Sequence, residues 1–187
     1  MDLTALLADP AAVGTIVGAL ALILFGAAWH KFSEPNAFLS SLAAYRLLPA
    51  ALLDPAAKAL PTIEVLLGIG LLVPLTRTPA LVAVAALFLL YAGAMGVNLG
   101  RGRSYIDCGC GGAAHPLSWA LVIRNAVLAG AALAVTGPTA ERGFSWLDAI
   151  TLVVGVLAFY MLYLMADELL RQASRMARVE TSGNERS

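Results

Sequence analysis

The chain has 187 residues, of which 60% are hydrophobic and only 13% charged, and it carries no net charge. Soluble domains carry roughly 25% charged residues, so this composition, with a mean hydropathy of +0.82, excludes a soluble globular domain and points to lipid as the solvent. The basic residues are scattered at the ends of apolar runs, with no basic face and no stacking aromatics among them, which argues against a nucleic-acid partner.

The first apolar run, 11–32, has the ~20 residues a helix needs to cross a bilayer. Asp2 and Asp9 stand where a cleaved leader would carry basic residues, so it reads as a retained span. Gly14 and Gly18 give it a small-residue face suited to close packing. Trp29, His30 and Lys31 mark its headgroup end, and Ser33-Glu34-Pro35 breaks it. In 36–48, Phe38, Leu39, Leu42 and Tyr45 recur at helical spacing and Pro49 follows, which predicts a short helix lying at the membrane interface. A second span is expected over 57–75 and a third over 79–99, where Gly93, Gly96 and Gly100 offer further small contact positions. Pro116 opens a fourth over 117–136. After the Gly137-Pro138 turn comes a fifth over 145–170, and 171–187 is a polar tail. The predicted class is an all-α integral membrane protein with an interfacial helix after its first span.

Both cysteines fall in one polar, glycine-rich connection, 101–112. Cys108 and Cys110 are one residue apart. A neighbouring thiol can close a disulfide onto a thiolate or share a soft metal with it. Bringing two α-carbons within about 7 Å at this spacing requires a sharp bend, which Gly109 permits. A ring so small is strained, and strained disulfides are the exchangeable ones. Asp107 raises the pKa of the neighbouring thiol unless Arg101 or Arg103 offsets it. His115 completes an alternative metal site with the two sulfurs, still short of the four ligands of structural zinc.

Five alternating spans put the cysteine connection and the C-terminal tail on one side of the membrane. That side receives His30, Lys31, Arg46, Lys58, Arg101, Arg103, Arg171, Arg175, Arg178 and Arg186, against Arg77 and Arg142 opposite. The positive-inside rule then makes the cysteine side cytoplasmic. Glu64, Asn98, Arg124 and Asn125 lie within the spans near this side. An unpaired charge at such depth is costly, and a second helix starting near Ala56 puts Glu64 level with Arg124, so a Glu64–Arg124 pair is expected.

His30-Lys31-Phe32 with Pro35 and Phe38, Tyr45-Arg46-Leu47-Leu48-Pro49 and Leu60-Pro61 with Glu64 form the first part of an ordered pattern. Asn98-Leu99-Gly100-Arg101-Gly102, Cys108-Gly109-Cys110 and Arg124-Asn125 complete it. In this order they resemble the MauE family of DoxX-like membrane proteins. The resemblance implies a four-helix transmembrane bundle over 11–136 and thiol–disulfide chemistry in a bacterial inner membrane. It also implies a thioredoxin-like partner, a role beside the maturation of methylamine dehydrogenase, and an extracytoplasmic cysteine loop, against the charge count. By the resemblance, Cys108 and Cys110 are the redox pair, with Glu64 and Arg124 as the polar site beneath it.

Three functions follow for test. One is a membrane thiol–disulfide oxidoreductase exchanging electrons with a thioredoxin-like protein, and with a quinone held near Glu64, Asn98, Arg124 and Asn125. The others are a carrier of Cu(I) or Hg(II) on the same two thiolates and a non-catalytic assembly factor.

Overall fold

The computed structural model describes residues 8–109, 116–140, 143 and 145–184. They form six helices: α1 (Pro10–Ser33), α2 (Pro35–Tyr45), α3 (Ala50–Leu72), α4 (Arg77–Gly100), α5 (Trp119–Ala134) and α6 (Trp146–Asn184). No sheet strand occurs among the described residues. The Asp9 carboxylate accepts from the N–H groups of Ala11 and Ala12, and Pro10 takes a first-turn position that has no N–H to satisfy, so α1 begins where its caps dictate.

α1, α3, α4 and α5 close a ring, each packing on two neighbours. Its centre is filled by Leu20 and Leu24 of α1, Leu71 of α3, Leu81, Val84 and Phe88 of α4, and Leu128 and Ala132 of α5. α6 lies outside the ring against α1. The small-residue face of α1 makes that seat: a Cβ added at Gly14 or Gly18 would come within 2.7 Å of Leu152 or Val156, and one at Gly155 within 2.9 Å of Thr15. Gly68 of α3 meets the Phe25 ring in the same way. Gly93, Gly96 and Gly100 do not serve as the contact positions expected of them, for each faces open space. α4 instead buries the stripe Leu81, Val84, Ala85, Phe88, Ala92, Met95, Asn98, and the three glycines lie off it.

Two helix starts differ from the sequence expectation. α3 begins at Ala50 rather than 57, with Pro49 at its cap and Pro55 and Pro61 inside it. Pro116 does not open α5. It bridges to Asp107, and the Leu117 N–H donates to the Ile106 carbonyl at 3.0 Å, which keeps the chain extended up to the cap residue Ser118. α1, α3, α4 and the Trp146–Ala173 part of α6 are each long and apolar enough to cross a membrane, while α5 is a shorter apolar helix of 16 residues.

Candidate functional site

The cysteine connection is anchored at both ends. Asn98, fully buried at the end of α4, accepts at its carbonyl from the N–H groups of Arg101 and Arg103. Its Oδ1 accepts from Arg103 Nη1 at 3.3 Å, and its Nδ2 donates to the Ala94 carbonyl. Arg103 also reaches Tyr105, and its hydrogen bond and charge hold that exposed phenol below the usual tyrosine range. At the other end, buried Ile106 and Leu117 pin the two arms beside the Asp107–Pro116 bridge.

Cys108 sits just inside this closure, 9% exposed, packed with Tyr45, Met95, Ile106, Leu117 and Leu121. Its carbonyl accepts from the Tyr45 hydroxyl at 3.0 Å. Gly109 has φ +67°, the left-handed region that side chains disfavour, and its N–H donates to Asp107 Oδ1 at 3.2 Å. The chain therefore bends at the residue where the sequence asks for a bend. A Cβ at Gly109 would also stand 3.4 Å from Ser41, so the turn rests against α2. Cys110, Gly111, Gly112 and His115 lie outside the described residues, and with them the sulfur pairing and the alternative metal site. Among the described residues no group of three His, Cys, Asp or Glu side chains has metal-binding geometry.

The expected Glu64–Arg124 pair is not formed. Glu64, with no exposed surface, accepts from Lys31 Nζ at 2.6 and 2.9 Å and from the Tyr91 hydroxyl at 2.8 Å. Lys31 does not reach the headgroups as expected. It turns inward to 5% exposure, with its ammonium 5.4 Å from the Phe38 ring centre and 5.5 Å from that of Tyr91. Arg124 pairs with Asp167 of α6, its guanidinium over Tyr163. Arg171 braces the same Asp167 and the neighbouring Glu168.

The reason lies in which neighbours the two side chains face. Glu64 of α3 turns to Lys31 of α1 and Tyr91 of α4, whereas Arg124 of α5 turns outward to Asp167 of α6. A similar level in the bundle is not enough for pairing when each charge finds its partner on a different helix. Asn125, also buried, donates to the Leu121 carbonyl of its own helix. The four polar residues grouped from the sequence thus serve three places: Glu64 with Lys31 and Tyr91, Asn98 at the loop anchor, and Arg124 with Asn125 on α5.

Sequence reading missed Lys31, Tyr45, Tyr91 and Asp167. The acidic–basic spacing of Asp167, Glu168 and Arg171 was a legible sign that α6 continues as a helix, whereas nothing local marked Lys31 as inward-facing.

A cavity of about 360 Å³ opens between α2, α3 and α4, and Lys31, Tyr91, Cys108 and Gly109 are among its lining residues. A small cleft lined by His30, Glu34 and Asp107 shares Lys31, Ser41 and Gly109 with it.

Apolar helices of crossing length, ringed around a packed centre, define an all-α integral membrane protein that passes the membrane several times. The chain belongs to the MauE family: the family model described as methylamine utilisation protein MauE matches residues 9–138. It is similar to the methylamine utilization protein MauE of Methylophilus methylotrophus, 40% identical over 79% of this chain and 80% of that one. The protein of the same name from Paracoccus denitrificans is 38% identical over 79% and 81% of the two chains. That from Methylorubrum extorquens is 37% identical over 76% and 73%. No solved structure matches the chain.

Proposed function

We propose that this protein is a thiol–disulfide oxidoreductase of the bacterial inner membrane, acting through Cys108 and Cys110 on a thioredoxin-like partner and serving methylamine utilisation, as the names of its relatives indicate. The observation that carries the reading is the setting of Cys108. A loop closed by a backbone bridge, a tyrosine hydroxyl and a left-handed glycine hold it in the lining of an apolar cavity, next to Gly109, which also lines a small polar cleft. A structural cysteine needs none of this fixation, whereas a thiol that must meet a second sulfur at a set angle does.

In the exchange, a thiolate of the pair attacks the partner's disulfide and forms a mixed disulfide, releasing one partner thiolate. The second cysteine then attacks that bond, so the pair ends oxidised and the partner leaves as a dithiol. The same steps run in reverse when the pair starts oxidised.

The test is trapping. With Cys110→Ser, a mixed disulfide with a thioredoxin-like protein is expected to accumulate on non-reducing gels, and titration of the parent protein with reduced and oxidised dithiothreitol, an uncharged couple, is expected to show one reversible two-electron step. Stoichiometric Cu(I) binding without such a step would establish the carrier instead. Full activity with both cysteines replaced by serine would leave only the assembly role.

A further inference from the structure

We propose that the cavity between α2, α3 and α4 is a binding site for an isoprenoid quinone, its ring held at Lys31 and Tyr91 beside Cys108 and its tail leaving past Leu48 and Leu90. The inference rests on the thiol–disulfide reading and deepens it by naming where the electrons go. It moves the expected quinone contact away from Asn98, Arg124 and Asn125, which are engaged elsewhere.

A volume of about 360 Å³ lies within the 300–1,000 Å³ typical of small-molecule sites. It suits a quinone ring with the beginning of its tail. The walls are almost entirely apolar, and at the rim Leu48 and Leu90 are exposed on the outer surface of the bundle, where a lipid-soluble tail continues. The polar side chains in the lining are few: Lys31, Ser41, Tyr45 and Tyr91. An ammonium has three N–H donors, and the two Glu64 oxygens account for two of Lys31's, which leaves one for a quinone carbonyl. The Phe38 and Tyr91 rings beside that ammonium give a planar ring surfaces to pack on.

A buried Lys–Glu pair stabilises a fold less well than apolar side chains of the same volume. Its cationic member, Lys31, lines a cavity that Cys108 also lines, which points to a ligand with an acceptor oxygen. A lipid acyl chain has no use for the donor.

The redox balance closes with this ligand. Oxidation of the Cys108–Cys110 dithiol to the disulfide releases two electrons and two protons, and the quinone takes up both pairs to become the quinol. Lys31 steadies the negative charge that grows on the carbonyl oxygen as the electrons arrive.

The experiment uses the full chain in phospholipid nanodiscs with decylubiquinone as the probe. Binding is read by titration calorimetry, and electron transfer by the ultraviolet bleaching of the quinone. The cavity-filling variants Ala94→Phe and Ala59→Phe are expected to weaken binding at least tenfold while still exchanging disulfides with a thioredoxin-like protein. The double variant Cys108→Ser/Cys110→Ser is expected to keep binding and lose all quinone reduction. Unchanged affinity in both cavity variants overturns the site. So does a cavity that holds only phospholipid acyl chain, seen as no decylubiquinone binding in a parent protein that still exchanges disulfides. Binding with no quinone reduction by the dithiol-reduced parent overturns the electron route, and the thiol reading falls with it only when disulfide exchange with the thioredoxin-like protein is also absent.

Discussion

Lys31 carries the largest single demand in the molecule. Its ammonium and the Glu64 carboxylate face each other inside an apolar bundle, with the Tyr91 hydroxyl on the same carboxylate. Removing one partner of such a pair strands the other, at about 3–5 kcal/mol. Lys31→Met is expected to lower unfolding stability in detergent by about that amount, and Lys31→Met/Glu64→Met to recover most of it. Equal stability of Lys31→Met and the parent would show that the pair is not buried as described. A lysine two residues from a helix end and two from a Trp is ordinarily a headgroup anchor. Its inward turn depends on Glu64, 33 positions away in sequence, and no local pattern announces such a contact. The bend at Gly109 was legible because it is a local property of the backbone between two nearby sulfurs.

Among the elements, α6 depends most on small residues. Gly14 and Gly18 on one side and Gly155 on the other let α1 and α6 approach until no Cβ fits between them. Val156 is branched at Cβ and rotates little out of the way. Gly18→Leu is expected to detach α6 from the ring, read as loss of the disulfide cross-link that a Thr15→Cys/Gly155→Cys pair forms in the parent. Retained cross-linking would place the α1–α6 contact elsewhere. This contact was legible from the spacing of two glycines in an apolar run. The same reasoning failed for Gly93, Gly96 and Gly100, because small residues show where close packing is possible and not which face the neighbours choose. The start of α3 failed for a related reason. Pro49 and Pro55 both look like breaks, yet a proline is tolerated in the first turns of a helix and, at greater cost, within it.

For the whole molecule, sidedness is the property on which charge counting and the proposed function disagree. We propose an extracytoplasmic cysteine loop. Two of the cations that weigh against it are already engaged in ion pairs, Lys31 with Glu64 and Arg171 with Asp167 and Glu168. Because Cys108 is buried, an introduced thiol at exposed Ser104 is the better reporter. In a chain with both native cysteines replaced by serine, Ser104→Cys is expected to react with a membrane-impermeant maleimide in intact cells. Reaction only after lysis would put the loop, and its partner, in the cytoplasm.

The packing of Cys108 against Met95 has a chemical consequence. Met95 lies five residues back from the end of α4, about 8 Å below it, so the loop folds down and seats the sulfur beneath the helix rim. Charged reagents must shed water to descend that far, while neutral greasy ones arrive already suited to the surroundings. Cys108 should therefore discriminate among thiol reagents by polarity, being alkylated faster by N-ethylmaleimide than by a sulfonated maleimide of the same intrinsic reactivity. It would resist free glutathione unless a docked protein brings the attacking sulfur down to it.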